Sequence, residues 1–450
     1  LRETTFSLAV LLTLAVSIGA NVAIFSVVDT VVLNPLPYAQ PDRLVTFYNS
    51  YPAAGAPRGS NSAVDYFLRR ERIDALEEVA AYQGSGHTVG EAGDTERVRT
   101  LRVTPSFFRL LGVDAALGRT FTEEEMDPGL HTKVVLSHGY WQERFGGDPG
   151  IVGSTLRVDG EAYAVVGVLP ETFRVVGRPD TRFFVPIPFD EEARTLESWH
   201  SNSYDMLGRL AAGAGVERAA AQIEAMNASL VGEWPVPNGR QLLEDAGFHT
   251  VVVKTRDDVL RSVRPVLYLL WAGVGFVLLI GCVNIANLML ARSHARLQEL
   301  ATRLALGARR SRLARQILTE AGVMGLVGGV LGLGLGAGGL RLMAGLGIGD
   351  LPRGAEIGVD GTVVFFTLGL ALGAAVLFGS IPVFHVLRSD LQSVFREKGR
   401  TGSSSRRSVF LRRALVTGQV ALAFLLLVGS GLMFRSFRAA VTVDPGFDRR

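Results

Sequence analysis

Five stretches of the chain are apolar for long enough to cross a lipid bilayer. A hydrocarbon core of about 30 Å requires roughly 20 consecutive apolar residues in a helix. The pattern therefore predicts membrane spans at residues 6–32, 266–291, 317–343, 363–387 and 414–434. Residues 6–32 are expected to be a retained anchor, because no small-residue cleavage site followed by a polar start ends the stretch. Since the chain begins at Leu1, it is expected to be a piece of a longer or processed protein.

The polar segments between the spans differ in length and in charge. Residues 292–316 hold seven arginines and one acid, and residues 388–413 hold eight basic residues and two acids. Residues 33–264 hold 24 basic residues and 32 acids. Short basic loops stay in the cytoplasm, whereas long domains are translocated largely regardless of charge. The charges therefore predict a multi-pass inner-membrane protein with a large extracytoplasmic head and with cytoplasmic loops at 292–316 and 388–413.

Within the head, short β-branched and aromatic runs alternate with helix-like segments. The predicted strands are 43–49, 97–103, 134–136, 162–168, 183–187, 204–210 and 248–254, and the predicted helices are 64–72, 106–111 and 216–231. Residues 44–111 and 204–254 are expected to pair into one α+β unit, and the Gly- and Pro-rich strands of 112–188 are expected to form an insertion subdomain. No polar or aromatic cage is predicted in the head, so the sequence names no substrate.

The third apolar stretch carries a regular pattern of glycines. Alternate spacings of four and three residues place five of them on one helix face: Gly325, Gly329, Gly332, Gly336 and Gly339. In a membrane such a face lets a second helix approach closely. Asn284 and Asn287, near the end of the second span, are expected to form hydrogen bonds between helices, each worth about 1 kcal/mol. The sequence predicts these seven residues as helix-packing sites.

Motifs for chemistry are absent from the sequence. None of the three lysines lies in the GxxxxGK[ST] motif of a P-loop, so no ATP site of that type is predicted. The seven histidines are scattered, and Ser137 and His138, as neighbours on a strand, would point to opposite faces. We therefore predict no catalytic residue, cofactor or metal ligand. The net charge of +3 comes from loops beside membrane spans, so nucleic acid is not an expected partner.

Several motifs carry a family resemblance. The segment Glu299–Ala308 reads ELATRLALGA, and residues 107–113, 135–141 and 145–149 read FFRLLGV, VLSHGYW and FGGDP. These motifs resemble the coupling segment and the periplasmic core domain of the MacB/FtsX-like ABC transporter permeases. Residues 19–26, GANVAIFS, look like the duplicated orphan permeases of the acidobacterial type. A shift of 410 residues also aligns Gly19 with Gly429.

The resemblance implies a fold class, an α-helical transmembrane protein with a large α+β extracytoplasmic domain of the MacB-like periplasmic core type. It implies four spans per repeat, with spans 2–4 in an FtsX-like permease domain at 265–387. Residues 414–450 would then hold a fifth span and the start of a second repeat.

The resemblance also implies a function. The chain would be a permease subunit that transmits ATP-driven conformational change from a separate cytoplasmic ATPase to its periplasmic head, for export or extraction of an unknown substrate. One alternative is a membrane regulator without transport activity that activates a cell-envelope enzyme through its head, and another is a solitary structural or sensory protein that has lost its ATPase. Expected partners are the ATPase and membrane lipid. A dimer or second internal repeat, and a periplasmic adaptor or enzyme, remain open.

Residues 299–310 are expected to form a short helix that docks into the ATPase. Apolar residues recur there at i, i+4 and i+8, and arginines lie on another side. The predicted ATPase-coupling residues are Glu299, Leu300, Arg303, Leu304, Gly307, Ala308 and Arg310. Gly307 lies where the helix should end, as glycine often does. Two positions, Gln298 and Leu304, depart from arginines common in the family and bear on which ATPase docks.

Overall fold

The computed structural model describes residues 2–33, 36–91, 93–261, 263–305, 309–345, 358–388 and 406–441. The chain divides into two compact units. One is a head made mainly of Asn34–Val263, and the other is a membrane unit that contains the N-terminal helix and most of the chain from Arg264 onward.

The head is built on one sheet. Its described strands are β1 Leu44–Tyr51, β2 Ala56–Gly59, β3 Leu76–Glu91, β4 Asp94–Val103, β5 Leu117–Gly118, β6 Lys133–Leu136, β7 Thr155–Val158, β8 Glu161–Val168, β9 Phe183–Pro186, β10 Asp205–Leu210 and β11 His249–Lys254. The order across the sheet is β11-β1-β10-β3-β4-β9-β6-β8-β5, with β2 paired to β1 and with β7 paired to both β3 and β8.

The sheet joins the two outer portions of the head. Strand β1 pairs antiparallel with both β10 and β11, and β10 pairs antiparallel with β3. The pairing predicted between residues 44–111 and 204–254 is therefore confirmed. The strands of 112–188 continue the same sheet, because β9 pairs parallel with β4 and β7 meets β3 at Val158 and Val89.

Helices cover both faces of the sheet. They are α2 Ala63–Arg72, α3 Ser106–Leu111, α4 His138–Phe145, α5 Val216–Glu233, α6 Gly239–Ala246 and α7 Thr255–Leu260. Successive residues of a strand point to opposite faces. Val45 and Phe47 accordingly belong to a core that also holds buried residues of α2 and α5. Leu44 belongs to a second core with Phe107 and Phe108 of α3.

The membrane unit consists of long helices. They are α1 Arg2–Val28, which continues as a π-helical turn at Asp29–Leu33, α8 Arg264–Ala305, α9 Arg310–Gly345, α10 Gly361–Arg388 and α11 Arg406–Val441. Among the described residues, five segments are long and apolar enough to cross a membrane: Thr4–Leu33, Arg264–Met289, Arg310–Leu342, Gly361–Ser380 and Val416–Ser436. Each overlaps one of the stretches predicted from the sequence. Helix α9 packs against both α1 and α10, and α1 also packs against α8.

Candidate functional site: a glycine-packed helix core and a continuous coupling helix

Glycines make the contact between α1 and α9. A Cβ atom added to Gly332 would lie 2.8 Å from Cβ of Ile18, and one added to Gly336 would lie 2.7 Å from Cγ1 of Val22. Distances below 3.0 Å are essentially never seen for real Cβ atoms, so a larger residue would displace α1. Gly19 on α1 is nearly as confined, because a Cβ atom there would lie 3.0 Å from the carbonyl oxygen of Gly332. The two backbones therefore approach as closely as small residues permit in a membrane.

The same helix contacts α10 through a second set of glycines. A Cβ atom on Gly325 would lie 2.8 Å from Cβ of Ala375, and one on Gly329 would lie 2.8 Å from Cβ of Ala371. In return, Gly379 of α10 lies against Ala321 of α9. Helix α9 is thus held between α1 and α10 by close backbone contacts on two sides.

The predicted stripe and the observed contacts differ at two positions. Among the described residues, no atom lies within 4 Å of a Cβ atom built on Gly339. A contact between crossing helices extends over only a few turns, and the stripe continues past its end. Gly328 was not predicted, yet its Cβ atom would lie 2.6 Å from Cβ of Leu14. The spacing of the glycines predicts one packing face, whereas α9 packs against α1 and α10 on two faces.

Polar contacts between the membrane helices centre on Asn21. Its side-chain amide donates to the carbonyl oxygen of Ser17 at 2.8 Å and to that of Val274, on α8, at 2.9 Å. Asn21 therefore forms a hydrogen bond between two membrane helices. Asn284 and Asn287 are only partly buried, and Oδ1 of Asn287 is buried with no hydrogen-bond partner in the described part of the chain. An aromatic contact also joins α1 to α10: the ring of Phe25 stacks on that of Phe366, with 3.8 Å between the ring centroids.

The coupling segment lies at the end of α8. This helix has 42 residues and runs without interruption from Arg264 to Ala305. Glu299, Leu300, Arg303 and Leu304 therefore form the last turns of a membrane helix, and the expected separate short helix is not observed. The helix remains continuous because nothing from Met289 to Ala305 breaks it; this segment contains no proline or glycine. Arg310 begins α9. Gly307 and Ala308, and the side chains of 290–305, lie outside the described residues.

A buried polar network crosses the core of the head. The side chain of Arg69 is fully buried and donates to Oδ1 of Asn61 at 2.6 Å and to Oδ1 of Asn49 at 3.0 Å. Asp65, also fully buried, lies 3.4 Å from the guanidinium and accepts a bond from Asn49 at 2.8 Å. Burial lowers the pKa of Arg69, and the neighbouring Asp65 carboxylate partly offsets that shift. The network ties β1 to α2.

Next to this network lies an aromatic cluster that was not predicted. His200 is surrounded by the rings of Trp199, Trp234 and Phe248, with centroid distances of 4.3, 4.7 and 4.7 Å. Its Nδ1 lies 2.6 Å from the hydroxyl of Tyr51, and its Nε2 is buried without a hydrogen-bond partner in the described part of the chain. Burial lowers the pKa of His200 to about 4. The members come from separate segments, so no local motif signals the cluster. The imidazole of His200 fills the centre of the cluster.

Two serine–histidine arrangements serve structure. Ser137 caps α4 by accepting a bond from the N–H group of Tyr140, as a helix N-cap does. Ser85 lies 3.2 Å from Nε2 of His87, whose Nδ1 lies 2.6 Å from Asp159. The N–H group of Thr88 donates to Asp159 at 2.7 Å. The hydrogen bond from Thr88 and the contact with His87 lower the pKa of Asp159. Asp159 lies in the turn between β7 and β8, so these two contacts attach the turn to β3. In the described part of the chain, no group of three or more His, Cys, Asp or Glu side chains could hold a metal.

Two family models match parts of the chain. The family model of the MacB-like periplasmic core domain matches residues 7–226, and that of the FtsX-like permease C-terminal domain matches residues 271–391. The periplasmic region of MacB from Actinobacillus actinomycetemcomitans aligns with 50% of this chain and 94% of its own, at 13% identity and a TM-score of 0.33.

Two curated relatives illustrate the sequence similarity. The pyoverdine export ATP-binding/permease protein PvdT of Pseudomonas syringae pv. tomato is 26% identical over 282 residues, which are 61% of this chain and 39% of the relative. The macrolide export ATP-binding/permease protein MacB of Sodalis glossinidius is 27% identical over 288 residues, 61% of this chain and 40% of the relative. The chain thus spans well under half the length of these two relatives.

The matched models and the helices define an ABC transporter permease with a periplasmic head. The chain belongs to the MacB/FtsX-like family of permeases, whose members are multi-pass inner-membrane proteins with a periplasmic domain. The region matched by the FtsX-like model, residues 271–391, does not include a P-loop motif.

Proposed function

We propose that this permease transmits conformational change from a separate cytoplasmic ABC ATPase to its periplasmic head and thereby drives export of a substrate. The names of the two relatives describe export of pyoverdine and of macrolides, which favours export over activation of an envelope enzyme. The names of the relatives do not assign a substrate to this chain, because the sequence identities are only 26% and 27%.

The observation that carries the proposal is the continuity of α8. At about 1.5 Å per residue, its 42 residues measure roughly 63 Å. A hydrocarbon core is about 30 Å thick, so a large part of the helix extends beyond its apolar segment, Arg264–Met289. The helix begins where the head ends and carries Glu299 and Arg303 near its other end. A rigid helix moves as one body, so force applied at the coupling segment reaches the membrane core directly.

The glycine contacts couple the other membrane helices to a movement of α8. Helix α8 packs against α1, which is joined to α9 through Gly332 and Gly336, and α9 is joined to α10 through Gly325 and Gly329. Tightly packed cores shift between discrete arrangements and do not deform smoothly. A displacement of α8 is therefore expected to shift the whole bundle.

Association with the ATPase tests the proposed role of the coupling segment. The full-length chain with Leu304→Asp or with Gly307→Val should insert normally but no longer retain the ATPase on affinity purification. Replacement of Arg303 and Arg310 by lysine keeps the charge that anchors a loop at the membrane and serves as the control for insertion. Normal ATPase retention in both the Leu304 and the Gly307 variants would reduce the segment to a membrane anchor and contradict the proposal.

A further inference from the structure

The head contains a cavity between the loop that joins β8 to β9 and the start of α4. Its lining comes from loop residues within 173–182, from Gly139 and Tyr140 of α4 and from Phe184 of β9. The cavity, here called the β8–β9 cavity, has a volume of about 200 Å³. Sites for drug-sized ligands measure roughly 300–1,000 Å³, so this cavity suits a smaller molecule.

Hydrogen bonds hold the loop in place around the cavity. The hydroxyl group of Tyr38 accepts a bond from the N–H group of Val176 at 2.9 Å and donates to the carbonyl oxygen of Arg174 at 3.1 Å. Further along the loop, the hydroxyl group of Thr181 donates to the carbonyl oxygen of Arg178 at 2.9 Å. The wall of the cavity is therefore already ordered, and a ligand does not have to order it on binding.

Aromatic side chains supply the apolar part of the lining. Phe173, Phe184 and Tyr140 are all buried, and the ring centroids of Phe173 and Phe184 lie 6.2 Å apart. An apolar group that enters the cavity leaves water and contacts these rings, which is favourable. The lining therefore favours a ligand with a small hydrophobic body.

The charged residues of the lining are three arginines and one aspartate, and all but one have an ion-pair partner. The pairs are Arg178 with Asp205, Arg182 with Glu143 and Asp180 with Arg99. Each of these six side chains already faces a group of opposite charge. The remaining arginine, Arg174, is therefore the positive charge of the lining that is available to a ligand.

Arg174 presents one edge of its guanidinium group without a partner. Its Nη1 atom donates to the carbonyl oxygens of Glu171 and Phe173 at 2.6 and 2.9 Å. Its Nε and Nη2 atoms form no hydrogen bond, and the side chain forms no ion pair, with any residue that the structure describes. Two N–H groups on one edge of a guanidinium match the two oxygens of a carboxylate. Because a single guanidinium carries one positive charge, it matches a carboxylate better than a phosphate dianion.

We propose that the β8–β9 cavity is a binding site for a small organic carboxylate. The carboxylate pairs with the Nε and Nη2 edge of Arg174, and its hydrophobic body lies against Phe173 and Phe184. The site belongs to the head alone. Binding there is therefore independent of the ATPase and of the direction of transport, and it can be tested without either.

Fluorine NMR with two probes of nearly equal size tests the charge requirement. The probes are 4-fluorobenzoate, which carries the carboxylate, and 4-fluorobenzamide, which is neutral. The full-length protein in detergent should broaden the benzoate resonance in a saturable way, measured against protein-free micelles. The benzamide should bind about tenfold more weakly, because hydrogen bonds to a charged group are roughly twice as strong as neutral ones. Equal binding of the two probes would overturn the proposal.

Variants of Arg174 test the location. Arg174→Gln should raise the Kd for 4-fluorobenzoate about tenfold, and Arg174→Lys should recover part of the affinity, since lysine keeps the charge but not the two-pronged edge. The matched control is Arg157→Gln. Arg157 of β7 also donates to a backbone carbonyl near it in sequence, that of Gly160 at 2.8 Å, but it does not line the cavity.

The control variant should bind the benzoate as the unmodified protein does. Equal thermal unfolding midpoints of the three variants and the unmodified protein would show that the head remains folded. An unchanged Kd in Arg174→Gln would contradict the proposal, and so would an equal loss of affinity in Arg157→Gln.

Discussion

Gly19 of α1 lies against the backbone of Gly332 on α9, so that a Cβ atom on Gly19 would lie 3.0 Å from the carbonyl oxygen of Gly332. The approach is reciprocal, because a Cβ atom on Gly332 would lie 3.2 Å from the carbonyl oxygen of Ala15. With no hydrophobic driving force between helices in lipid, such packing is a main source of helix association. The contact makes α1 and α9 one packed pair within the membrane unit.

Replacing Gly332 by leucine should separate this pair. The new side chain would overlap Ile18, so we expect a fall in the thermal unfolding midpoint of the detergent-purified protein by several degrees. Gly334 lies on the same helix with no atom within 4 Å of its Cβ position among the described residues. Gly334→Leu therefore serves as the control and should leave the midpoint unchanged. Equal unfolding midpoints for the two variants would show that Gly332 is not needed for the packing of α1 against α9.

The buried Arg69–Asp65 pair predicts a large effect on the head. Arg69→Met leaves the Asp65 carboxylate buried without its guanidinium partner, a change that typically costs about 3–5 kcal/mol. Urea unfolding of the head, followed by tryptophan fluorescence in the full-length protein, should show this loss. The double variant Arg69→Met/Asp65→Asn removes both charges and should recover part of it. If the single variant unfolds at the same urea concentration as the unmodified protein, the pair does not stabilise the head.

His200 predicts an acid-sensitive stability of the head. Burial holds its pKa in the folded protein at about 4, below the ordinary 6.5. Between these values the unfolded chain binds a proton that the folded chain does not, so the free energy of unfolding falls as the pH decreases from 6.5 towards 4. Below about pH 4 both forms are protonated and His200 adds no further dependence.

His200→Phe should remove this part of the pH dependence. The difference in the free energy of unfolding between pH 7 and pH 4.5 should shrink by about 2 kcal/mol relative to the unmodified protein. Urea titrations at both pH values measure it. His138→Phe, at a histidine that meets the ring of Trp141 edge to face outside the cluster, is the control. If the pH dependence of the His200 variant equals that of the unmodified protein, then His200 has the same pKa in the folded and the unfolded protein, and the prediction is wrong.

The membrane unit was more predictable than the head because its signal is local. Long apolar runs mark helices wherever they lie, and the spacing of Gly325, Gly329, Gly332 and Gly336 marks a face that packs. The sequence does not show that α9 has two partners, so Gly328 was missed. The coupling segment was expected to be a separate helix because its sequence is amphipathic, yet nothing between Met289 and Glu299 stops the span before it.

The head shows why pattern alone falls short. Strand β3 has 16 residues and was missed, because the glycines at Gly84 and Gly86 suggest a turn. In the structure the strand continues through both glycines, because Gly84 pairs with Leu101 and Gly86 with Arg99 of β4. The cluster around His200 was missed for another reason, since only the tertiary fold brings Trp234 and Phe248 to it.

In the proposed mechanism, α8 carries motion from the coupling segment to the head as one rigid helix. Ala295→Pro interrupts this helix between its membrane segment and Glu299, at a cost of about 3 kcal/mol in helical structure. Ala295→Leu at the same position keeps the helix and is the matched control. Neither change alters the predicted docking residues, so both variants should still retain the ATPase.

Hydrogen exchange of the head in the reconstituted complex of permease and ATPase, with and without ATP, tests this claim most directly. For the unmodified protein and for Ala295→Leu, ATP should change the exchange of β1 and β10, which lie next to the β11 edge of the sheet in the head. For Ala295→Pro, the ATPase should remain bound while the ATP-dependent change in the head disappears. The same ATP-dependent change in Ala295→Pro as in the unmodified protein would contradict transmission through α8.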